Sequence, residues 1–210
     1  MADQPDQPGF LQRTYGLDTP DQVEQHYREW ATTYEQELLD NGYASPARCA
    51  RALAATVADR SAPLLDAGCG TGLSGLALRD AGFTTIDGYD FSPEMLALAA
   101  DKTSVYRSLG TVDLSRPLPV EAGSYANACA AGVVHPGHAP VEAIGFVIDV
   151  LPTGGCFALS LSDHALTVPE FPGAVDEVVA SGRADLVSDG YGPHLPGIDL
   201  GSRIIVLRRR

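Results

Sequence analysis

The chain has 210 residues, and 14 Lys and Arg against 27 Asp and Glu give a formal net charge of −13. That length fits one domain, two at most, and is enough to bury a sizeable core without disulfide or metal staples. An excess of negative charge repels phosphate backbones and anionic lipid, which sets nucleic acid and membrane surfaces aside as partners. No apolar run reaches the length of a membrane span, and a charged stretch followed by an apolar one is missing at the start, so the expected location is cytoplasmic. Cys49, Cys69, Cys129 and Cys156 are widely spaced and form no CxxC pair. They read as reduced, buried thiols rather than a disulfide framework or a zinc site.

Residues 1–20, rich in Pro, Gln and Asp and without periodicity, read as a flexible arm that a site could use as a lid. From Asp21 to Leu39, apolar positions Val23, Tyr27, Trp30, Tyr34 and Leu38 recur three and four apart, which predicts a helix. Asn41-Gly42 ends it. Ser45-Pro46 then reads as an N-cap with Pro at the first helical position, opening a second helix over Ala47 to Arg60. Beyond Ala62, short apolar runs alternate with helical stretches. The expected strands are Pro63–Ala67, Thr84–Tyr89, Ser104–Leu109, Tyr125–Ala131, Cys156–Leu161, Asp185–Ser188 and Arg203–Leu207. Helical stretches fall at Leu73–Ala81, Pro93–Ala100, Val141–Leu151 and Ala174–Ser181. This alternation predicts an α/β fold with a doubly wound, mostly parallel seven-stranded sheet. With no linker or repeat in view, residues 21–210 are expected to form one domain with the N-terminal helices packed on it as a cap.

The segment Leu64-Leu65-Asp66-Ala67-Gly68-Cys69-Gly70-Thr71-Gly72 carries the most chemistry. An apolar strand runs into three alternate glycines and a helix opens at once. Bare backbone allows a tight turn and lets a ligand lie against it, while the N–H groups of the new helix face whatever binds. A second strand ends in Asp90, eighteen residues after Gly72, where an acid accepts hydrogen bonds from ribose hydroxyls. Two ligands fit this pattern. Gly70-x-Gly72-x-x-Gly75 matches the dinucleotide fingerprint of a nicotinamide-dependent oxidoreductase. Asp66, just before the glycines, would repel a pyrophosphate but attract an ammonium and a sulfonium. The acidic balance leans towards the positively charged nucleoside.

Asp66-Ala67-Gly68-Cys69-Gly70-Thr71-Gly72, with Gly88-Tyr89-Asp90-Phe91-Ser92-Pro93-Glu94-Met95-Leu96, resembles motifs I and II of class I S-adenosylmethionine-dependent methyltransferases. Gly132-Val133-Val134-His135-Pro136 is similar to that family's loop after strand 4, and Val150-Leu151-Pro152-Thr153-Gly154-Gly155-Cys156-Phe157 to its turn before strand 5. Trp30-Ala31-x-x-Tyr34-Glu35 resembles the helix preceding the core. The combination is nearest the small-molecule type, including the Williams–Beuren-region methyltransferase-like group, and covers about Glu24 to Arg208. The resemblance implies a Rossmann-like methyltransferase fold and S-adenosyl-L-methionine as cofactor, with S-adenosyl-L-homocysteine as product. It further implies that Gly68, Cys69, Gly70 and Gly72 line the methionine end and that Asp66 contacts the amino group directly or through water. By the same resemblance Asp90 holds the ribose hydroxyls, Phe91 packs beside adenine, Asp113 sits near the adenine amino group, and Tyr34 reaches the carboxylate. Two places depart from the pattern: Tyr125-Ala126-Asn127 lacks the acid common at the start of strand 4, and Thr153 replaces a Lys.

His135 and His138 follow strand 4, at the carboxyl edge where such sheets bind ligands, and either is a candidate general base on an acceptor hydroxyl or amine. His164 follows strand 5 on the same side. No carboxylate or Cys follows His135-x-x-His138 at a useful distance, so no metal is expected. The expected activity is transfer of a methyl group to a small-molecule acceptor whose pocket is built by the N-terminal segment, the His135 loop and residues 163–201. The other readings are a cofactor-binding protein without turnover and an NAD(P)-dependent oxidoreductase.

Overall fold

The computed structural model describes residues 34–210. The expected arm over 1–20, Trp30, and most of the expected 21–39 helix lie outside the described residues. What is described begins with α1 (Tyr34–Asp40), closed by Gly42, whose N–H donates to Leu39 O at 2.9 Å. Helix α2 (Ser45–Thr56) follows, then β1 (Leu64–Ala67), α3 (Leu73–Asp80), β2 (Ile86–Asp90), α4 (Pro93–Ala100), β3 (Ser108–Thr111), β4 (Asn127–Ala130) and α5 (Glu142–Val150). The chain ends with β5 (Cys156–Ser162), α6 (Asp163–Leu166), α7 (Glu170–Ala180), β6 (Ala184–Leu195), a 3-10 turn over Pro196–Ile198, and β7 (Leu200–Arg209).

The seven strands form one sheet in the order β3-β2-β1-β4-β5-β7-β6. All neighbours pair parallel except β7, which runs antiparallel between β5 and β6. This is the expected doubly wound, mostly parallel, Rossmann-like seven-stranded sheet. Its two faces are buried by alternate side chains of the same strands. On β5 and β7, Phe157, Leu159, Ile205 and Leu207 face the helices α5 and α7, against Ile144, Ile148, Phe171 and Val175. Cys156, Ala158, Ile204 and Val206 face α2 and α3, against Leu53, Leu78 and Phe83. Each large side chain so buried contributes about 1.5–3 kcal/mol, which is what covers a central sheet on both sides. Among the described residues no helix is long and apolar enough to cross a membrane.

Several local expectations are corrected. Ser45 does not cap α2. The N-cap position is Ala44, with no side-chain bond, because the Ser45 hydroxyl is held by His194 Nδ1 at 2.7 Å and Ser202 Oγ at 2.9 Å. The third strand starts at Ser108 rather than Ser104, since Ser104 takes a positive φ of 67° in the loop that seats Val105 and Tyr106 inward. The sixth strand runs twelve residues, not four. Ser92, by contrast, caps α4 through its hydroxyl, which accepts from Met95 N at 3.2 Å.

Candidate functional site

The strand order reverses between β1 and β4, and the crevice outside the carboxyl ends of a sheet at such a reversal is where doubly wound folds take ligands. A cavity of about 560 Å³ opens there. Its floor is the turn after β1, from Gly68 to Ser74. One side is the end of β2 and the loop after β3, with Asp90, Phe91 and residues 112–115. The other is the loop after β4, from Ala131 to Pro140, with Tyr43 and Pro46 of the α2 entry. None of these lining residues is Lys or Arg, and the two charged ones, Asp90 and Asp113, are acids.

Bare backbone serves different ends at the three glycines of the turn. A Cβ on Gly68 would meet Val133 at 2.6 Å, and one on Gly72 would meet Lys102 at 3.0 Å and Tyr106 at 3.2 Å. Their bareness is used by the protein's own packing. Gly70 has nothing within 4 Å of such a Cβ and a φ of +52°, so here alone the missing side chain leaves room for something else. Gly68, Cys69 and Gly70 lie on the cavity, whereas Gly72 does not. Cys69 is nearly buried, and burial pushes its thiol pKa up, which leaves it an inert wall.

Asp90 is 7% exposed. Its Oδ2 accepts the Gly70 N–H at 2.8 Å and its Oδ1 the Ser92 N–H at 3.0 Å. Burial raises its pKa, while the backbone donors at Ser92, Gly70 and Phe91 lower it. Each oxygen keeps a second lone pair for a ligand hydroxyl. Thr71, also on the cavity wall, carries a buried hydroxyl oxygen with no partner among the described residues. Phe91 is 44% exposed beside it. Asp113 is on the rim, held by the Ser115 N–H at 2.9 Å and by Arg116 at 3.2 Å. An unpartnered hydroxyl, an open glycine and an acid with spare lone pairs fit a polar nucleoside with neutral or positive charge.

Asp66 is placed behind the wall. It is fully buried and is not among the cavity-lining residues. Ser74 Oγ and Tyr106 OH both donate to its Oδ2, at 2.7 and 2.8 Å. Burial lifts its pKa to about 6 against these two donors. The Tyr34 side chain lies outside the described residues.

Of the two histidines, His138 lies on the cavity wall and His135 does not. Their rings stack at 3.7 Å, tilted by 37°. His135 has its Nδ1 3.0 Å from Pro136 O, and desolvation holds its pKa down to about 4. No residue of 163–201 lines the cavity, contrary to the expected pocket. That stretch is committed to α6, α7 and the long β6, which pairs with β7 at the far edge of the sheet. At the departure in strand 4, Asn127 Oδ1 accepts the Cys156 N–H at 3.0 Å, so an amide fulfils a ladder role there. Among the described residues no group of three metal-ligating side chains comes together.

Two residues escaped the sequence reading. Tyr43 lines the cavity, its hydroxyl donating to Ala131 O at 3.3 Å and standing where a Cβ on Gly132 would come within 2.1 Å. Its ring meets His194 edge-on at 5.3 Å. Tyr106, with its hold on Asp66, is the other. Neither sits in a motif, and only a contact shows them.

Residues 64–155 match the model of a methyltransferase domain. The chain is 32% identical over 137 residues to methyltransferase-like protein 27 of Homo sapiens, an alignment covering 64% of this chain and 55% of that protein. The chain thus spans about half the length of that relative. Among solved structures it is similar to the [4+2]-cyclase SpnF, with a TM-score of 0.70, 17% identity and coverage of 92% and 97% of the two chains. It is also similar to a TehB-like S-adenosylmethionine-dependent methyltransferase from Corynebacterium glutamicum, with a TM-score of 0.61, 21% identity and coverage of 89% and 99%. At these identities the likeness is one of fold, and a cyclase among the neighbours illustrates that fold and reaction are separate matters.

Proposed function

We propose that the chain is a class I S-adenosylmethionine-dependent methyltransferase that moves a methyl group from S-adenosyl-L-methionine to a small-molecule acceptor, a reading supported by the methyltransferase-domain match over residues 64–155 and by the fold. The observation that carries this reading is Asp90 bonded to the backbone of Gly70 on the wall of a cavity that no Lys or Arg lines among the described residues. The pyrophosphate of a dinucleotide calls for cations or a bare helix N-terminus free of carboxylates. Two acids here favour a cationic nucleoside instead.

When bound, the cofactor supplies a methyl group already activated by the positive charge on its sulfur. The residues of the chain hold and orient it. Asp90 accepts from the ribose hydroxyls, Gly70 lets the methionine end lie against backbone, and Thr71 gives its unpartnered hydroxyl to a polar group of that end. Phe91 packs on the adenine and Asp113 accepts from its amino group at the rim. On the far side, Tyr43, Pro46 and the loop after β4 form the acceptor half of the cavity. Alignment of acceptor and methyl in a dry enclosure supplies most of the rate in a direct displacement. Where the acceptor must also lose a proton, His138 is placed to take it, with His135 stacked behind it as support. A cytoplasmic setting suits the four free, buried cysteines.

Titration calorimetry tests this. S-adenosylmethionine and S-adenosylhomocysteine should each give a saturable heat and NAD none. Heat from NAD, or none from either adenosyl ligand, would overturn the reading.

A further inference from the structure

Tyr106 stands in the loop between α4 and β3, behind the glycine turn. Its hydroxyl donates to Asp66 Oδ2 at 2.8 Å. Its side chain occupies the space that a Cβ would need on Gly75, at 2.3 Å, on Gly88, at 2.8 Å, and on Gly72, at 3.2 Å. Three glycines, two of them in the apparent dinucleotide fingerprint, thus border this phenol, which is the nearest group at Gly75 and shares the space with Lys102 at Gly72 and with Leu109 and Cys69 at Gly88. Beside it, Ser74 Oγ donates to the same carboxylate oxygen at 2.7 Å. Asp66 Oδ1 is buried with no partner among the described residues.

A carboxyl with both donors on one oxygen and none on the other is a costly way to fill a core. Buried polar atoms left unpaired are uncommon, and an apolar residue would fill the space without that penalty. The arrangement makes sense if the carboxylate's charge is used. Two hydroxyl donors stabilise the ionised form, and charge in a low-dielectric interior is felt over a longer distance than in water. The carboxylate is joined through Ser74 to the cavity wall.

We propose that Tyr106 is a positioning residue for the cofactor: its hydroxyl keeps Asp66 ionised behind the turn, and its ring holds Gly72, Gly75 and Gly88 in place, so that preference for a positively charged ligand depends on a phenol that does not line the cavity. This rests on S-adenosylmethionine being the ligand. It explains why an acid at the end of β1 can attract a sulfonium without lining the cavity. The titratable groups facing Asp66 are Tyr106 itself, Asp90 from β2, Cys69 from the turn and Cys129 from β4. Asp90 opposes ionisation of Asp66, and burial does so more strongly. Removing a donor therefore moves the carboxyl further towards its neutral form.

The test compares the wild type with Tyr106→Phe, which keeps the ring and loses the donor. Both are titrated with S-adenosylmethionine and S-adenosylhomocysteine at acidic, neutral and mildly alkaline pH, with the melting temperature measured alongside. The wild type should prefer the sulfonium over the thioether at neutral pH, and less so in acid. In Tyr106→Phe that preference should fall by about threefold or more at neutral pH and recover in alkali, because the titration of Asp66 has moved up. An unchanged preference at every pH overturns the proposal. So does an equal, pH-independent loss of both ligands, which is what a purely structural phenol would give. Should Tyr106→Phe fail to fold, Ser74→Ala removes the other donor and is judged by the same criteria. A wild type that binds neither ligand overturns the functional reading and this inference with it, whereas normal binding in both proteins overturns the inference alone.

Discussion

The Gly70 backbone N–H donates to Asp90 Oδ2 at 2.8 Å, which ties the turn after β1 to the tip of β2 across the parallel pair. The residue with open space in place of a side chain and the acid nearest to it are thereby one unit. Replacing Asp90 by Ala removes the acceptor for ribose and the tether for Gly70 together. Cofactor affinity should fall by about 1–3 kcal/mol, the usual loss of a charge-assisted hydrogen bond. Calorimetry measures it, and an unchanged dissociation constant removes Asp90 from the site.

The glycines should separate binding from folding. Gly70→Val puts a branched side chain into open space at a φ of +52°, and should abolish S-adenosylhomocysteine binding while circular dichroism stays native. Gly75→Ala drives a methyl into the Tyr106 hydroxyl at 2.3 Å, and should instead cost about 1–3 kcal/mol of stability through overpacking. Chemical denaturation of the two variants, with binding measured on each, checks the contrast. Equal effects on both quantities would contradict it.

Asp66 and the buried histidines titrate with opposite signs. Burial raises the Asp66 pKa from 3.8 to about 6, so its favourable contribution is complete below the unfolded value and is lost as pH rises through about 6. Asp66→Asn should therefore raise the melting temperature above pH 6 while weakening the cofactor. Its gain is bounded by about 3 kcal/mol, from 1.36 kcal/mol per unit.

Desolvation holds His135 and His194 down at about 4 from 6.5. Their contribution is present above the unfolded value and is lost as pH falls through 6.5 towards 4. The wild type should lose stability over that window, and His194→Gln should lose less of it, because a neutral amide has no proton to gain. Thermal melts across the range would show it. Identical slopes in the two proteins would remove His194 as a source.

Once an acceptor that loses a proton is in hand, His138→Ala should lower kcat by roughly 10²–10⁴-fold, the usual share of a general base, with cofactor affinity nearly unchanged. His135→Ala should do less, since its ring is set against Pro136 rather than on the cavity. A kcat unchanged in His138→Ala would show that alignment alone suffices.

Much of the fold is written in short-range signals. Alternating apolar runs gave seven strands, and strand-glycine-helix punctuation located the crevice, because both depend on neighbours in the chain. Register and strand ends depend on partners far away. Hence β6 runs the length of its antiparallel pairing with β7, and the turn at Ser104 shortened the third strand. The same divide holds at the site. That Asp90 and Gly70 border the crevice was legible from spacing, but the packing role of Gly72 is set by Lys102 and Tyr106, and the withdrawal of Asp66 from the wall by Ser74 and Tyr106. Tyr43 reaches the cavity from outside every motif because its position is set by Gly132 and His194.

A crystal structure with S-adenosylhomocysteine bound tests the assignment of this crevice most directly. The ribose hydroxyls should lie within hydrogen-bond distance of Asp90, the homocysteine chain against Gly70, and Asp66 should remain behind the turn in the grip of Tyr106. A ligand seated elsewhere on the sheet, or a ribose turned away from Asp90, would contradict it.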